Sequence, residues 1–303
     1  MRFGFHVVWW FACSAILSAG CREDQATTSA ASTQAASTQP AGASRPASST
    51  TPGGRAVEIV WKPIFRGVEM STAAADEPRP LQVRAVRVDL REPTIDFLVT
   101  PSNAAEPLDC GARTTSEFLT EFKCQVAING SAFKPLVGQR GEAVDVLGLS
   151  LSRGDLYSKP NDYDAVLIGK DHRVWIDQAP VKPGKAFHGV SGFHALLIGG
   201  QNVAKADQLH PRSAAGVTRD GRYLILMVID GRQAGYSEGT STAETAEWIR
   251  QFGAHDALNL DGGGSTALVM EGPDGKPVVL NRPSGVVERR VANHLGVFAR
   301  RLP

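Results

Sequence analysis

The sequence carries almost no net charge: 32 Lys and Arg stand against 31 Asp and Glu in 303 residues. A chain so balanced has no basic field to steer it onto a polyanion, which argues against nucleic acid as a partner. Cysteine is scarce, with four residues, and no Cys-x-x-Cys or accompanying His pair spells out a zinc site. The uncharged run Val7 to Leu17 falls short of the roughly 20 apolar residues that span a bilayer. Neither Gly-x-Ser-x-Gly nor His-Glu-x-x-His occurs, so serine hydrolase and zinc protease readings have no motif behind them. The apolar fraction, 42%, is that of a soluble globular chain and argues against disorder throughout.

What is there begins with a processing segment. Arg2, the uncharged run and the small residues after it form the pattern of a secretory signal over residues 1–20. Leu17-Ser18-Ala19-Gly20-Cys21 resembles a bacterial lipobox, in which the cysteine takes lipid and starts the mature chain. Ser18 stands where a bulky residue is usual, with Leu17 one place earlier. From Arg22 to Ala56 there is no Val, Ile, Leu, Met, Phe, Trp, Tyr or Cys. Such a stretch cannot bury enough apolar area to offset its chain entropy, so residues 21–56 are expected to form a lipid-anchored, disordered linker. The expected location is the bacterial cell envelope, lipid-anchored through Cys21 and facing the periplasm or exterior, with plain secretion as the alternative. Cys110 and Cys124 are left in the folded part. In an oxidising compartment they can pair, a bridge worth about 3 kcal/mol in the chain-entropy model, or remain two buried thiols.

Residues 57–303 are expected to be one folded domain, with 28 basic and 29 acidic residues. Its pattern is α+β: mixed, β-rich sheets with a few helices. Strands are expected at Val57 to Trp61, at the alternating Leu81 to Leu90, and at Gln125 to Ile128. A short helix fits Thr115 to Phe122. The continuous apolar run Tyr223 to Ile229 reads as a buried strand. Ser241-Thr242-Ala243-Glu244 is a capping-box pattern opening a helix that Gly253 ends, and a strand follows at Ala257 to Leu260. Strand, helix and strand over 223–261 suggest a crossover and a parallel pair, which would bring Asp230 and Asp261 to one sheet edge.

The sharpest chemical signal is Asp261-Gly262-Gly263-Gly264-Ser265-Thr266. Three glycines after a buried strand are entropically costly and make sense where a ligand must approach the backbone, or where freed amides form an anion-binding concavity. No Gly-Lys-Ser/Thr follows, so it is not a P-loop, and the spacing is not that of a dinucleotide fingerprint. His210-Pro211-Arg212 and Asp230-Gly231-Arg232 bring guanidiniums suited to phosphate or carboxylate. Taken alone, each is as well explained as a surface or turn sequence. Glu244 either completes the helix cap or points into a site.

Together these segments resemble the phosphodiester glycosidase family. The resemblance rests on Asn259 to Thr266, on His210-Pro211-Arg212 and Asp230-Gly231-Arg232, and on Asn281-Arg282-Pro283-Ser284, Glu288-Arg289 and Val291-Ala292-Asn293. One segment departs: the family's Asn-Gly-Gly-Phe-Phe is here Asn129-Gly130-Ser131-Ala132-Phe133. The resemblance implies a glycosidase cleaving a sugar-1-phosphate diester or a related glycosidic bond in envelope or extracellular glycans. Asp261, Glu244 and Asp230 would be the catalytic acids. Asn129, Arg212, Arg232, Gly262, Gly263, Gly264, Ser265, Thr266, Ser284 and Arg289 would bind substrate. Two other readings remain open: a non-catalytic glycan-binding surface lipoprotein, and an exopolysaccharide glycosidase acting without phosphate. The expected partners are a carbohydrate or glycosyl-phosphate substrate and the membrane through the lipid anchor only. No cofactor is required by the sequence, and a divalent cation is left open.

Overall fold

Tyr223–Ile229 shows how the sequence builds the centre. Leu224, Leu226 and Val228 face one core, while Ile225, Met227 and Ile229 face another. A strand covered on both faces needs no alternation, hence the unbroken apolar run. The computed structural model describes residues 58–104, 108–205, 208–285 and 287–303. The signal segment, the Cys21 anchor and the linker lie outside the described residues.

The main sheet has eight strands in the order Lys62–Phe65, Val68–Ala75, Leu81–Asp89, Tyr223–Ile229, Arg212–Thr218, Ala254–Asn259, Ala195–Ile198 and Gln201–Asn202. One of its faces meets two five-stranded sheets. The first runs Pro277–Val279, Leu268–Glu271, Val126–Asn129, His294–Phe298, Asp96–Val99. The second runs Asp155–Ser158, Ser150–Ser152, Ala186–Ser191, Ala165–Gly169, Val174–Asp177. Val86, Val88, Leu224 and Leu226 from the main sheet, Val126, Ile128 and Leu295 from the first, and Val166, Ile168 and Val190 from the second share one core. Burying each such side chain is worth about 1.5–3 kcal/mol. A small sheet of Cys110–Gly111, Ala143–Val146 and Phe133–Lys134 flanks them.

Two helices occur among the described residues. Thr242–Gln251 starts with the expected capping box, Ser241 Oγ accepting from Glu244 N and Glu244 reaching back to Ser241 N. It lays Ala246, Trp248 and Ile249 on Val83, Ala85, Ile225 and Met227. Thr115–Phe122, capped by Thr114 and Glu117, packs Phe118 and Leu119 on Leu98, Ala127 and Val269. Among the described residues no helix is long and apolar enough to cross a membrane.

Three expectations need correction, and of the two states left open for the cysteines the structure has the thiols. With two helices against sheets on every side, the fold is a single β-rich domain, more all-β than α+β. The expected parallel pair does not form: Arg212–Thr218 lies between Tyr223–Ile229 and Ala254–Asn259 and pairs antiparallel with both. The two outer strands still run the same way, so Asp230 and Asp261 do emerge at the same edge. The first strand begins at Lys62, and residues 58–61 are not in a strand. Cys110 and Cys124 are free and buried in different clusters, Cys110 with Phe133 and Val144, Cys124 with Phe118 and Ala127. No bridge forms, and burial pushes each thiol up to about 12.

Candidate active site

Because Arg212–Thr218 runs opposite to its neighbours, its start lies beside their ends. His210-Pro211-Arg212, Asp230-Gly231-Arg232 and the Asp261 loop therefore meet at one edge. Backbone bonds knit them: Gly263 N donates to Pro211 O (2.8 Å), and His210 bridges Thr240. The first five-stranded sheet supplies the fourth wall. Asp261 N donates to Gly130 O (2.9 Å), and Asn129 Nδ2 donates to Asp261 O (2.7 Å).

Asp261 is the distinctive group here. Its side chain is only partly open to solvent and is densely surrounded. Burial raises its pKa to about 6, against the opposing pull of Ser265, the Gly262 amide and Arg289. Gly262 N donates to Asp261 Oδ1 (3.0 Å). Ser265 Oγ and Thr266 Oγ1 are buried without full hydrogen-bond geometry to any protein group, though Ser265 Oγ is near enough to act on Asp261.

The triple glycine lets two arginines come close. A Cβ at Gly264 would stand 2.3 Å from Arg289 Nη2, and one at Gly263 3.1 Å from Arg232 Nη2. Gly263 also takes φ +61°, a region that favours glycine. A Cβ at Gly262 would meet Pro211 O at 2.7 Å. The anion-binding concavity of freed amides is smaller than expected. The N–H groups of Gly262, Gly263, Ser265 and Thr266 all donate within the protein, and Gly264 N–H alone in the loop has no acceptor among the described residues.

Arg232 and Arg289 are exposed, and neither has an ion pair among the described residues. Arg232 Nη2 donates to His210 Nδ1 (3.1 Å), which fixes the imidazole proton on Nε2, facing Gln208 Oε1. Burial, then Arg212 and Arg232, lower the pKa of His210, so the ring is neutral at pH 7.

The remaining expected residues hold the frame. Arg212 is buried; its Nε donates to Thr240 O (2.9 Å) and its Nη2 to Gln208 O (2.6 Å). Asn129 is fully buried and spends its Oδ1 on Ser213 Oγ and Ala267 N. Asp230, also buried, accepts from Asn281 Nδ2, Arg282 N and Tyr236 OH, and burial raises its pKa. Glu244 completes the helix cap and pairs with Arg79 at 2.5 Å. Burial would raise its pKa, but Arg79 and the Ser241 amide outweigh it and hold it low. Ser284 is half-buried, and no hydrogen bond reaches its side chain among the described residues. Arg79 and Tyr236 went unremarked in the sequence because no motif surrounds them. Among the described residues no three His, Cys, Asp or Glu side chains are grouped to hold a metal ion.

A family model for phosphodiester glycosidases matches residues 122–298, which contain every segment just described except Arg79. The chain belongs to the phosphodiester glycosidase family. Solved structures share its fold. A hypothetical protein from Synechocystis is 18% identical, with TM-score 0.60, over 80% of this chain and 64% of that one. The zebrafish N-acetylglucosamine-1-phosphodiester alpha-N-acetylglucosaminidase catalytic domain, auto-inhibited by its pro-peptide, is 19% identical, with TM-score 0.60, over 82% and 90%. A Burkholderia pseudomallei protein described as exported is 16% identical, with TM-score 0.54, over 72% and 74%. The chain thus spans less than two thirds of the Synechocystis protein. No curated protein sequence matches it.

Proposed function

We propose that this phosphodiester glycosidase is a hydrolase cleaving a sugar-1-phosphate diester in bacterial envelope or extracellular glycans, with Asp261 as the reacting carboxylate. One observation carries this. Among the described residues, of the three acids Asp230, Glu244 and Asp261, Asp261 alone is not spent on a cap, an ion pair or a loop anchor, and it lies beside two guanidiniums that have no carboxylate of their own.

The chemistry follows from the leaving group. A glycosidase ordinarily uses two carboxyl groups because an alkoxide must be protonated as it leaves. Here the bond from the anomeric carbon to oxygen breaks with its electron pair staying on a phosphate, already a stable anion. That departure needs positive charge more than a proton, and Arg232 and Arg289 supply it. Asp261, with a pKa of about 6, is mostly ionised at pH 7. It either attacks the anomeric carbon or takes the proton of the attacking water. Arg212, Asn129, Asp230 and Glu244 act in this scheme by holding the walls. The chemistry requires no cofactor. We place the domain at the cell envelope, lipid-anchored through Cys21 by the linker over residues 21–56.

The test is a substrate panel for wild type and Asp261→Asn. Glycosyl phosphodiesters should release reducing sugar faster than simple glycosides, and the variant should be nearly inactive yet folded. Retention of ligand without turnover would favour a binding protein. Preference for phosphate-free glycosides would favour an exopolysaccharide glycosidase. Near-normal activity of the variant would remove Asp261 from the reaction.

A further inference from the structure

Asp261 is not held by its own strand alone. Its backbone N–H is fixed by Gly130 O, so its position depends on the Gly130-Ser131 segment, and that segment is gripped from its other side by one side chain. Asn293 is fully buried. Its Oδ1 accepts from Ser131 N (2.6 Å), its backbone O accepts from Gly130 N (2.9 Å), and its Nδ2 donates to Ser131 Oγ (3.2 Å) and Ser150 Oγ (2.9 Å). Ser150 Oγ donates on to Tyr157 OH (2.6 Å), which donates to Thr100 O (2.8 Å). Both ends of the Asn293 amide are thus saturated, and its orientation is set by the second five-stranded sheet. Gly130 is required for this approach, since a Cβ there would stand 2.4 Å from Asn293 Oδ1.

We propose that Asn293 is a positioning residue: it clamps Gly130-Ser131 so that Gly130 O fixes the backbone of Asp261 beneath Arg289. The proposal rests on Asp261 being the reacting carboxylate. No other side chain makes a hydrogen bond to the backbone of Gly130 or Ser131 among the described residues. With the Asn293 side chain gone the segment keeps the backbone bonds from Gly130 to Asp261 and to Asn293 O, but Ser131 loses the hold on its N–H and hydroxyl. The two can then shift together, away from the arginines and toward water. A displacement on the order of 1 Å costs catalysis about 100-fold. Substrate binding through Arg232 and Arg289 is left nearly intact, because Arg232 comes from another loop and the bridge between Val291 and Arg113 holds the chain between Arg289 and Asn293.

The experiment measures kcat, KM and the pH dependence of kcat for Asn293→Ala on a glycosyl phosphodiester, with the folded fraction fixed by circular dichroism. The expected result is a fall in kcat of about 100-fold with KM changed less than about threefold. The acid limb of the profile should also move from about 6 toward the ordinary 3.8 as Asp261 becomes solvated. A variant of lower melting temperature whose kcat and acid limb match wild type would overturn the proposal, because a merely structural side chain leaves both unmoved. Should Asn293→Ala not fold, Ser150→Ala carries the test. It removes one acceptor of the Asn293 amide without touching the site, and it should lower kcat several-fold at unchanged KM; an unchanged kcat overturns the clamp. Asp261→Asn, run alongside, separates the two ideas. If that variant stays active, the reading of Asp261 fails, whatever Asn293 does.

Discussion

Replacing Asp261 by Asn should stabilise the fold while removing activity. The carboxyl titrates at about 6 in the folded protein against an ordinary 3.8. Between those two values the folded chain binds more protons than the unfolded one. Stability owed to this group therefore falls as pH rises through the window, and the loss levels off above pH 6. At about 1.4 kcal/mol per pH unit, the charge at Asp261 costs about 3 kcal/mol at pH 7. Asn keeps the shape and an oxygen to accept from Gly262 N, without the charge. For a domain of this size, 3 kcal/mol corresponds to about 6–12 °C in melting temperature. Thermal melts of both proteins at pH 7 and pH 4 provide the assay. A higher melting point for Asp261→Asn at pH 7, with the gap closing at pH 4, is expected. A variant melting at or below wild type at pH 7, or a gap that persists at pH 4, would refute the idea that the site holds its carboxylate against an unfavourable environment.

Arg289→Ala should cut kcat/KM on a glycosyl phosphodiester by about 10²–10³-fold, the cost of one lost charge-stabilising donor, and shift the acid limb upward because Arg289 now lowers the pKa of Asp261. Its melting point should barely change, since the side chain is exposed. Gly264→Ala should reproduce much of that activity loss, because the new methyl takes the place of the Arg289 guanidinium; equal activity in a steady-state assay would show that their contact is idle. Glu244→Ala should do the reverse: a loss of about 1–2 kcal/mol in chemical denaturation from the cap and the Arg79 pair, with kcat within a few-fold of wild type. That stabilisation belongs to the ionised carboxylate, so it should fade as pH falls through the lowered pKa of Glu244.

The sequence made the site more legible than the sheet around it. Tyr223 to Ile229 and the helix Thr242–Gln251 announce themselves because burial on two faces and the Ser241 box leave strong local signatures. Arg212–Thr218 leaves none. Its Ser, Ala, Ala and Gly are small because neighbours crowd them; a Cβ at Gly216 would stand 2.8 Å from that of Ala254. Missing that strand turned two antiparallel pairings into one parallel one. The motif acids posed a different difficulty. Asp230, Glu244 and Asp261 each stand beside a turn or cap in the sequence, and only the tertiary partners Asn281, Arg282 and Arg79 separate anchors from a reactive group. Asn293 could not be read as a clamp at all, since its partners are 143 and 162 residues away along the chain.

The reversal of Arg212–Thr218 has a practical side. Arg212 pairs with Ile229 at the site edge, and Val217 pairs with Leu224 at the far end, where Arg219 to Gly221 form an exposed turn. Six residues of extended chain separate the two ends by about 20 Å. A fluorophore, an affinity tag or a surface-coupling residue placed in that turn would stay clear of the arginines and Asp261. It would also point the active edge away from whatever holds the protein.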